Sequence, residues 1–317
     1  MIHTLSHIVE CPTEGAVLQT LAYFEVFTYP LTPTEVFAFC GEASYTQAAI
    51  FERLQTLVEK GHIFQFGPFF QSKNDPNWAM RRLDCNRRAD NILPRARRMA
   101  RFIAQFPYVR GVFVSGSLSK HCMSPNSDVD FFIVTESGRL WLARTLLVVF
   151  KKIFLLNSHK YFCVNYFVDT KHLEIEEKNL FTATESVTLV PMWGAEFYEA
   201  FCRANAWAWQ QYPHFAYRST VDVPPHSCRF LKKILEKTLS GSLGNWLDQK
   251  AMRLTVGFWK KKFRHLDSSA FDLALKSRRG VSKHHPLHFQ QKVLEGFEQN
   301  LHKITGSIPN IASTNRE

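Results

Sequence analysis

No two of the seven cysteines in this 317-residue chain form a CxxC pair, and their number is odd. That pattern speaks against a disulfide framework and against a cysteine-based zinc site. It reads as reduced thiols in a cytoplasmic protein. The opening residues, MIHTLSHIVECPTEG, lack the basic start and apolar block of a secretory signal. Long apolar runs are missing as well: residues 140–156 are broken by Arg and Lys, and residues 187–193 are short. No membrane partner is therefore expected. Disorder is excluded by what the chain does contain, 45% hydrophobic and 14% aromatic residues. Lys and Arg number 39 against 28 Asp and Glu, a net charge of +11, which suits a polyanionic or phosphorylated partner. The length accommodates more than one domain.

Residues 16–27 are apolar on a helical period. Thr32, Pro33 and Glu35 form a capping-box pattern with proline at the first helical position. Thr46 can cap a third helix over residues 47–60, which stops at Gly61. HIFQFGPFFQ then places short apolar runs around Gly67-Pro68, the pattern of a two-stranded wing. Three helices and a wing resemble a winged helix-turn-helix, whose third helix reads DNA. Here that helix is short of cations, with Arg53 and Lys60 against Glu52 and Glu59, and the wing is aromatic. The module therefore reads as a surface for a protein partner or self-association, ahead of a DNA-binding regulator. Residues 81–101 carry eight arginines against Asp84 and Asp90, with Pro94 expected to interrupt or kink the helix. A solvated face and a phosphate-facing ridge both remain open for it.

The segment GVFVSGSLSKHCMSPNSDVDFFIV carries the chemistry. Residues 109–115 read as a strand that ends at Gly116-Ser117, where glycine lets backbone approach a ligand. Residues 128–134 read as a second strand. Its period of two places Asp128 and Asp130 on one face and Val129 on the other. Adjacent carboxylates repel unless a cation lies between them, and hard divalent ions with oxygen ligands meet that need.

A Gly-Ser pair, a gap of about ten residues and a D-x-D strand resemble the nucleotidyltransferase superfamily. Its members include DNA polymerase beta, poly(A) polymerases and aminoglycoside nucleotidyltransferases. The surrounding RGVFVSGSLSK, SDVDFFIVTESGRLWLAR, FCVNYFVDTKHLEI and NLFTATESVTLVPMWG are similar to uncharacterised bacterial proteins carrying that domain, over residues 81–209. The resemblance implies an α+β fold with a polymerase-beta-like core, a mixed sheet with flanking helices. A winged-helix-like module at 1–75 would precede the core at 76–217, and a helical region at 218–317 would follow. It implies Mg²⁺ or Mn²⁺ on Asp128 and Asp130. The β and γ phosphates of a nucleoside triphosphate would lie on Gly116 and Ser117, with Ser127 in the same nucleotide site. Arg139 and Arg144, near the start of the helix that follows the aspartates, are expected either to meet the triphosphate or to neutralise Asp130. The implied reaction moves an NMP to an unidentified small-molecule, protein or RNA acceptor and releases pyrophosphate.

One expected part is lacking. The superfamily places a third acid on a later strand, but YFCVNYFV offers only Asn165, expected to face the site with Cys163 and Phe167. An asparagine carbonyl can ligate Mg²⁺ but cannot accept a proton as a carboxylate does. Three accounts stand: Asn165 replaces the acid, or Asp169, Glu174 or Glu176 approaches from the strand end, or the domain binds nucleotide without turning it over. His121 and Cys122 read as loop residues near the substrate, without partners for zinc or nucleophile chemistry. Residues 218–227 read as linker, 229–239 and 243–263 as helices, and 290–303 as a last helix. Arg278, Arg279, Lys283, His284 and His285 read as a loop, either solvated or closing over the phosphates.

Overall fold

The computed structural model describes residues 12–156, 160–227, 230–264, 271, 275–283 and 289–306. Three helices open it: α1 (Pro12–Glu25), α2 (Pro33–Ala38) and α3 (Gln47–Glu59). An antiparallel hairpin of β1 (Phe64–Phe66) and β2 (Phe69–Gln71) follows, turning at Gly67 with φ +59°. The Thr32 side chain accepts from the Glu35 amide, and the Glu35 carboxylate accepts from the Thr32 amide at 2.9 Å, so the capping box forms. Thr46 caps α3 through the Ala49 amide. Leu18, Ile50, Leu54 and Leu57 fill the space between the helices. Arg53 of α3 and Lys60 at its C-terminal cap turn toward one buried acid. Arg53 and Lys60 reach Glu14 at 3.3 and 3.0 Å.

Helix α4 (Pro76–Ile103) runs unbroken through Pro94. That proline is exposed, so the missing amide hydrogen bond lies on the solvent side. A buried stripe of Ala89, Ala96, Ala100 and Ile103 docks the helix. Its arginines are mostly exposed; Arg82 is the exception at 4% exposure. Its guanidinium bonds Glu35 Oε1 at 2.6 Å and the Pro30 carbonyl at 2.8 Å, and lies 3.6 Å from the centre of the Tyr29 ring.

The central sheet is mixed. In sequence it runs through β3 (Val109–Ser115), α5 (Gly116–Ser119), β4 (Asp130–Thr135), α6 (Leu140–Phe154) and β5 (Cys163–Asp169). Then come α7 (Leu180–Thr188), β6 (Val190–Trp193), α8 (Ala195–Ala204) and α9 (Ala206–Gln211). The remaining elements are α10 (Phe230–Thr238), α11 (Ser242–Lys262), β7 (Ser277–Arg278), β8 (Val281–Lys283) and α12 (Phe289–Gly306). Strand order is β6-β3-β4-β5-β8-β7, and β4–β5 is the parallel pair, joined through α6. Alternation divides the side chains between two faces. Phe113, Phe132 and Val134 join the core beneath α7 and α8, which continues into the N-terminal helices. Val112, Val114, Phe131 and Ile133 join the other core, with Leu140, Leu147 and Trp259.

The segment expected as a basic loop differs. Residues 277–283 form the hairpin β7–β8, which pairs antiparallel onto β5 through Tyr166–Lys283 and Val168–Val281. An open sheet edge left by β5 carries unpaired amides and carbonyls, and the hairpin satisfies them. His284 and His285 lie outside the described residues. Helix α12 returns to pack on α1, where Phe297 meets the Tyr23 ring edge-on at 5.9 Å. Residues 12–75, the sheet region and residues beyond 218 thus share cores.

Candidate functional site

Strand β4 begins at Asp130, but extended pairing starts earlier. The Val129 amide donates to the Lys160 carbonyl at 3.0 Å, and the Val129 carbonyl accepts from Cys163 N at 3.2 Å. Val129 is fully buried, so Asp128 and Asp130 both turn to the opposite side, toward a cavity. Across the ladder Ser115 pairs with Asp130, and β3 ends there. Gly116 then takes φ +66°, and a Cβ at that position would sit 2.7 Å from Asp130 Oδ2. Glycine is required twice over, by backbone conformation and by contact with the carboxylate.

The cavity is about 490 Å³. One part of its wall is polar: Ser115, Gly116, Asp128, Asp130, Cys163 and Asn165. The rest is chiefly apolar, with Phe132, Tyr166, Phe181, Leu189, Phe201 and Phe289, while Lys283 and Gln290 contribute a second polar edge. Burial raises Asp130 to about 6, helped by the charges of Asp128 and Glu185 and opposed by the Cys163 hydrogen bond and Lys120.

Asn165 lies beside the paired aspartates. Its Nδ2 donates to Asp130 Oδ1 at 3.2 Å and approaches Cys163 Sγ at 3.0 Å. A bulge puts it there: Phe131 pairs with Val164 and Phe132 with Tyr166, so Asn165 is the extra residue. The bulge also resets the alternation. Asn165 and Tyr166 both line the cavity, whereas Phe167, expected beside Asn165, is buried in the opposite core.

The other candidates for the third acid are engaged elsewhere. Asp169 is 1% exposed at the far end of β5, where it accepts from the Lys171 amide at 2.9 Å and meets His172 Nδ1 at 2.6 Å. Glu174 pairs with Lys178, and Glu176 with Lys276 and Arg278. A carboxylate that sequence reasoning missed does reach the cavity: Glu185. Thr182, Glu185 and Ser186 form one face of α7 at i, i+3 and i+4, and all three line the wall, with Leu189 just beyond the helix end. Lys120 Nζ donates to Glu185 Oε1 at 2.7 Å and to the Gly116 carbonyl at 3.2 Å, tying Glu185 to the glycine turn. That spacing is visible in LFTATESVTL, but only the packed sheet shows which face of the helix is inward.

Arg139 and Arg144, expected at the phosphates or at Asp130, are not in the cavity wall. Arg139 is 6% exposed and its guanidinium satisfies the carbonyls of Leu239, Ser240 and Gly241 and the Asn245 side chain. Arg144 packs 4.6 Å from the Trp259 ring, and burial lowers it to about 10. Both hold α6 to the segment around α11. Ser117 lies in α5 with Oγ 3.5 Å from Met123 Sδ, and Ser127 bonds Ser124 within the loop; neither lines the cavity. His121 meets Asp90 at 3.2 Å, and burial next to Cys85 raises the Cys122 thiol to about 12, which makes it a poor nucleophile.

No family model, curated protein or solved structure matches this chain. Among the described residues no group of three or more His, Cys, Asp or Glu side chains is clustered to hold a metal ion. The site is therefore defined by its geometry: two aspartates, an asparagine and a glycine turn on three strand ends, with Glu185 held to the glycine turn through Lys120.

Proposed function

We propose that this chain is a Mg²⁺- or Mn²⁺-dependent nucleotidyltransferase with a polymerase-beta-like core and a winged-helix-like N-terminal module. It would move an NMP from a nucleoside triphosphate to a small-molecule, protein or RNA acceptor. The observation that carries the reading is the opposition of Gly116 to Asp130, with Asp128 on the same side of the strand. Asp128 and Asp130, with the Asn165 amide oxygen after rotation of its side chain, offer the hard oxygen donors that Mg²⁺ prefers. Their fit rests on Asp130: a carboxyl raised to about 6 beside another carboxylate is the group a divalent cation would most stabilise as an anion. When bound, such an ion neutralises phosphate charge and lowers the acceptor's pKa.

The chain's own groups supply the rest. Ser115 and Gly116 bring the backbone at the end of β3 into the cavity wall, where it would meet phosphate oxygens. The acceptor oxygen forms its bond to the α-phosphorus as the bond to the bridging oxygen breaks and pyrophosphate leaves. Glu185 receives the acceptor's proton, in place of a third acid on β5. The aromatic wall of Phe132, Tyr166, Phe181 and Phe289 suits a flat ring, from either the base or the acceptor. Arg139 and Arg144 have no part in this scheme.

A second reading is a nucleotide-binding regulatory or scaffold protein without turnover, favoured by Asn165 where the superfamily carries an acid. A DNA-regulator role is disfavoured because Arg53 and Lys60 are both drawn to Glu14. The test is pyrophosphate release from each of the four NTPs with Mg²⁺ or Mn²⁺ over a panel of acceptors. Asp130→Asn is expected to abolish release and weaken Mn²⁺ binding. Glu185→Gln is expected to lower turnover by roughly a hundredfold while nucleotide binding persists. Undiminished turnover in Asp130→Asn would refute the assignment of the chemistry to this site, and tight NTP binding without turnover would select the regulatory reading.

A further inference from the structure

Helix α10 is docked by its polar residues and turns its apolar ones to solvent. Lys232, 3% exposed, donates from Nζ to the carbonyls of Ala104 at 2.8 Å and Val109 at 2.6 Å. One turn on, Glu236 accepts from the Tyr108 amide at 2.6 Å and pairs with Arg110 at 2.8 Å. The other side of the helix carries Phe230, Leu231, Ile234 and Leu235, between 45% and 76% exposed. This reverses the usual arrangement, in which the apolar stripe faces the core.

Helix α11 docks through Ala251, Met252, Val256 and Trp259, yet it also carries apolar residues outward. Gly244, Asp248 and Trp259 face inward, while Leu243, Trp246, Leu254 and Phe258 form an outer stripe between 55% and 73% exposed. Scattered apolar residues on a surface mean little, but two consecutive helices with apolar outer stripes form a surface that wants a partner. The exposed charge of the two helices themselves has one sign. Lys233 and Lys237 on α10 are exposed, as are Lys250, Arg253, Lys260, Lys261 and Lys262 on α11. The two acids of these helices turn inward, Glu236 to Arg110 and Asp248 to the Leu142 amide at 2.8 Å. Lys250 Nζ stands 5.6 Å from the Trp246 ring, a cation at the margin of the apolar stripe.

We propose that the α10–α11 surface rests on an anionic lipid bilayer. The apolar stripes would enter the headgroup–acyl boundary, and the lysines would extend along them to anionic headgroups. No helix among the described residues is long and apolar enough to cross a membrane, so the attachment is to one face of the bilayer. A second copy of the chain would set the same cations against each other, so charge disfavours self-pairing. An acidic protein would answer the charge but not the apolar side chains spread along both helices. The proposal does not depend on the nucleotide chemistry.

The experiment is co-sedimentation of the full chain with phosphatidylcholine vesicles, with and without phosphatidylglycerol, alongside light scattering of the protein alone. Binding to the phosphatidylglycerol vesicles is expected, falling as salt rises. Lys233→Gln with Lys237→Gln is expected to weaken it on the order of tenfold. Leu231→Glu with Leu254→Glu is expected to abolish it without lowering Tm, because both side chains are exposed. Failure to sediment with either vesicle overturns the proposal, as does binding that both variants retain. A stable dimer dissolved by the double glutamate variant, or capture by polyglutamate but not by vesicles, also overturns it by assigning the surface to a protein.

Discussion

Asp130 concentrates the chemistry of the site, and its protonation gives a direct test. Its folded-state carboxyl sits at about 6 against 3.8 in an unfolded chain, because burial and two neighbouring carboxylates disfavour the anion. A raised carboxyl favours the folded state below the unfolded value, and that contribution is lost as pH rises through the folded value. With chelator present, thermal melting should therefore show wild type losing stability relative to Asp130→Asn between pH 4 and 7, by on the order of 2 kcal/mol. Parallel melting curves would remove the desolvated carboxyl from the account. Asp128 and Asp130 were legible as a pair because a strand alternates every residue. Asn165 and Phe167 were not legible together, because a single extra residue at the bulge defeats that rule. Glu185 was hidden in a helix whose inward face only its packing against the sheet defines.

Among elements, α4 shows how composition misleads. Its arginines look alike in sequence, yet Arg82 is buried against Glu35 and Tyr29 while Arg87 forms an exposed pair with Asp84. Arg82→Met strands the Glu35 carboxylate and the Pro30 carbonyl, and urea melts should show a loss of about 3 kcal/mol. Arg87→Met should cost less than about 1 kcal/mol, because exposed pairs are screened and entropically expensive to hold. Equal costs would deny Arg82 its anchoring role. The same distinction applies to Arg139 and Arg144, which occupy carbonyls and an indole ring and never reach the cavity. Helix starts at Thr32 and Thr46 were readable because capping is local. The inverted polarity of α10 was not, because run length tests for a spanning helix and says nothing of a surface one.

At the scale of the molecule, chain distant in sequence completes the site. Strand β8 brings Lys283 to the cavity and α12 brings Phe289 and Gln290, while α12 also packs on α1. Phe297 is 3% exposed at that contact. Phe297→Ala should destabilise the protein by about 3 kcal/mol, and because the cores are shared, circular dichroism and tryptophan fluorescence should report one coincident transition. Separate transitions would mean that the N-terminal helices fold apart from the sheet.

The sequence by itself determined the α+β composition, the capped helices, the hairpin at Gly67 and the aspartate pair. Each follows from local rules: caps, turn glycines and the periods of helix and strand. Tertiary structure decided the remainder: the bulge that aims Asn165, the inward face of α7 that presents Glu185, the hairpin that closes the sheet edge, and the arginines that are struts. Those depend on which surfaces meet, and burial and charge compensation are properties of the packed chain, set by residues far apart in sequence.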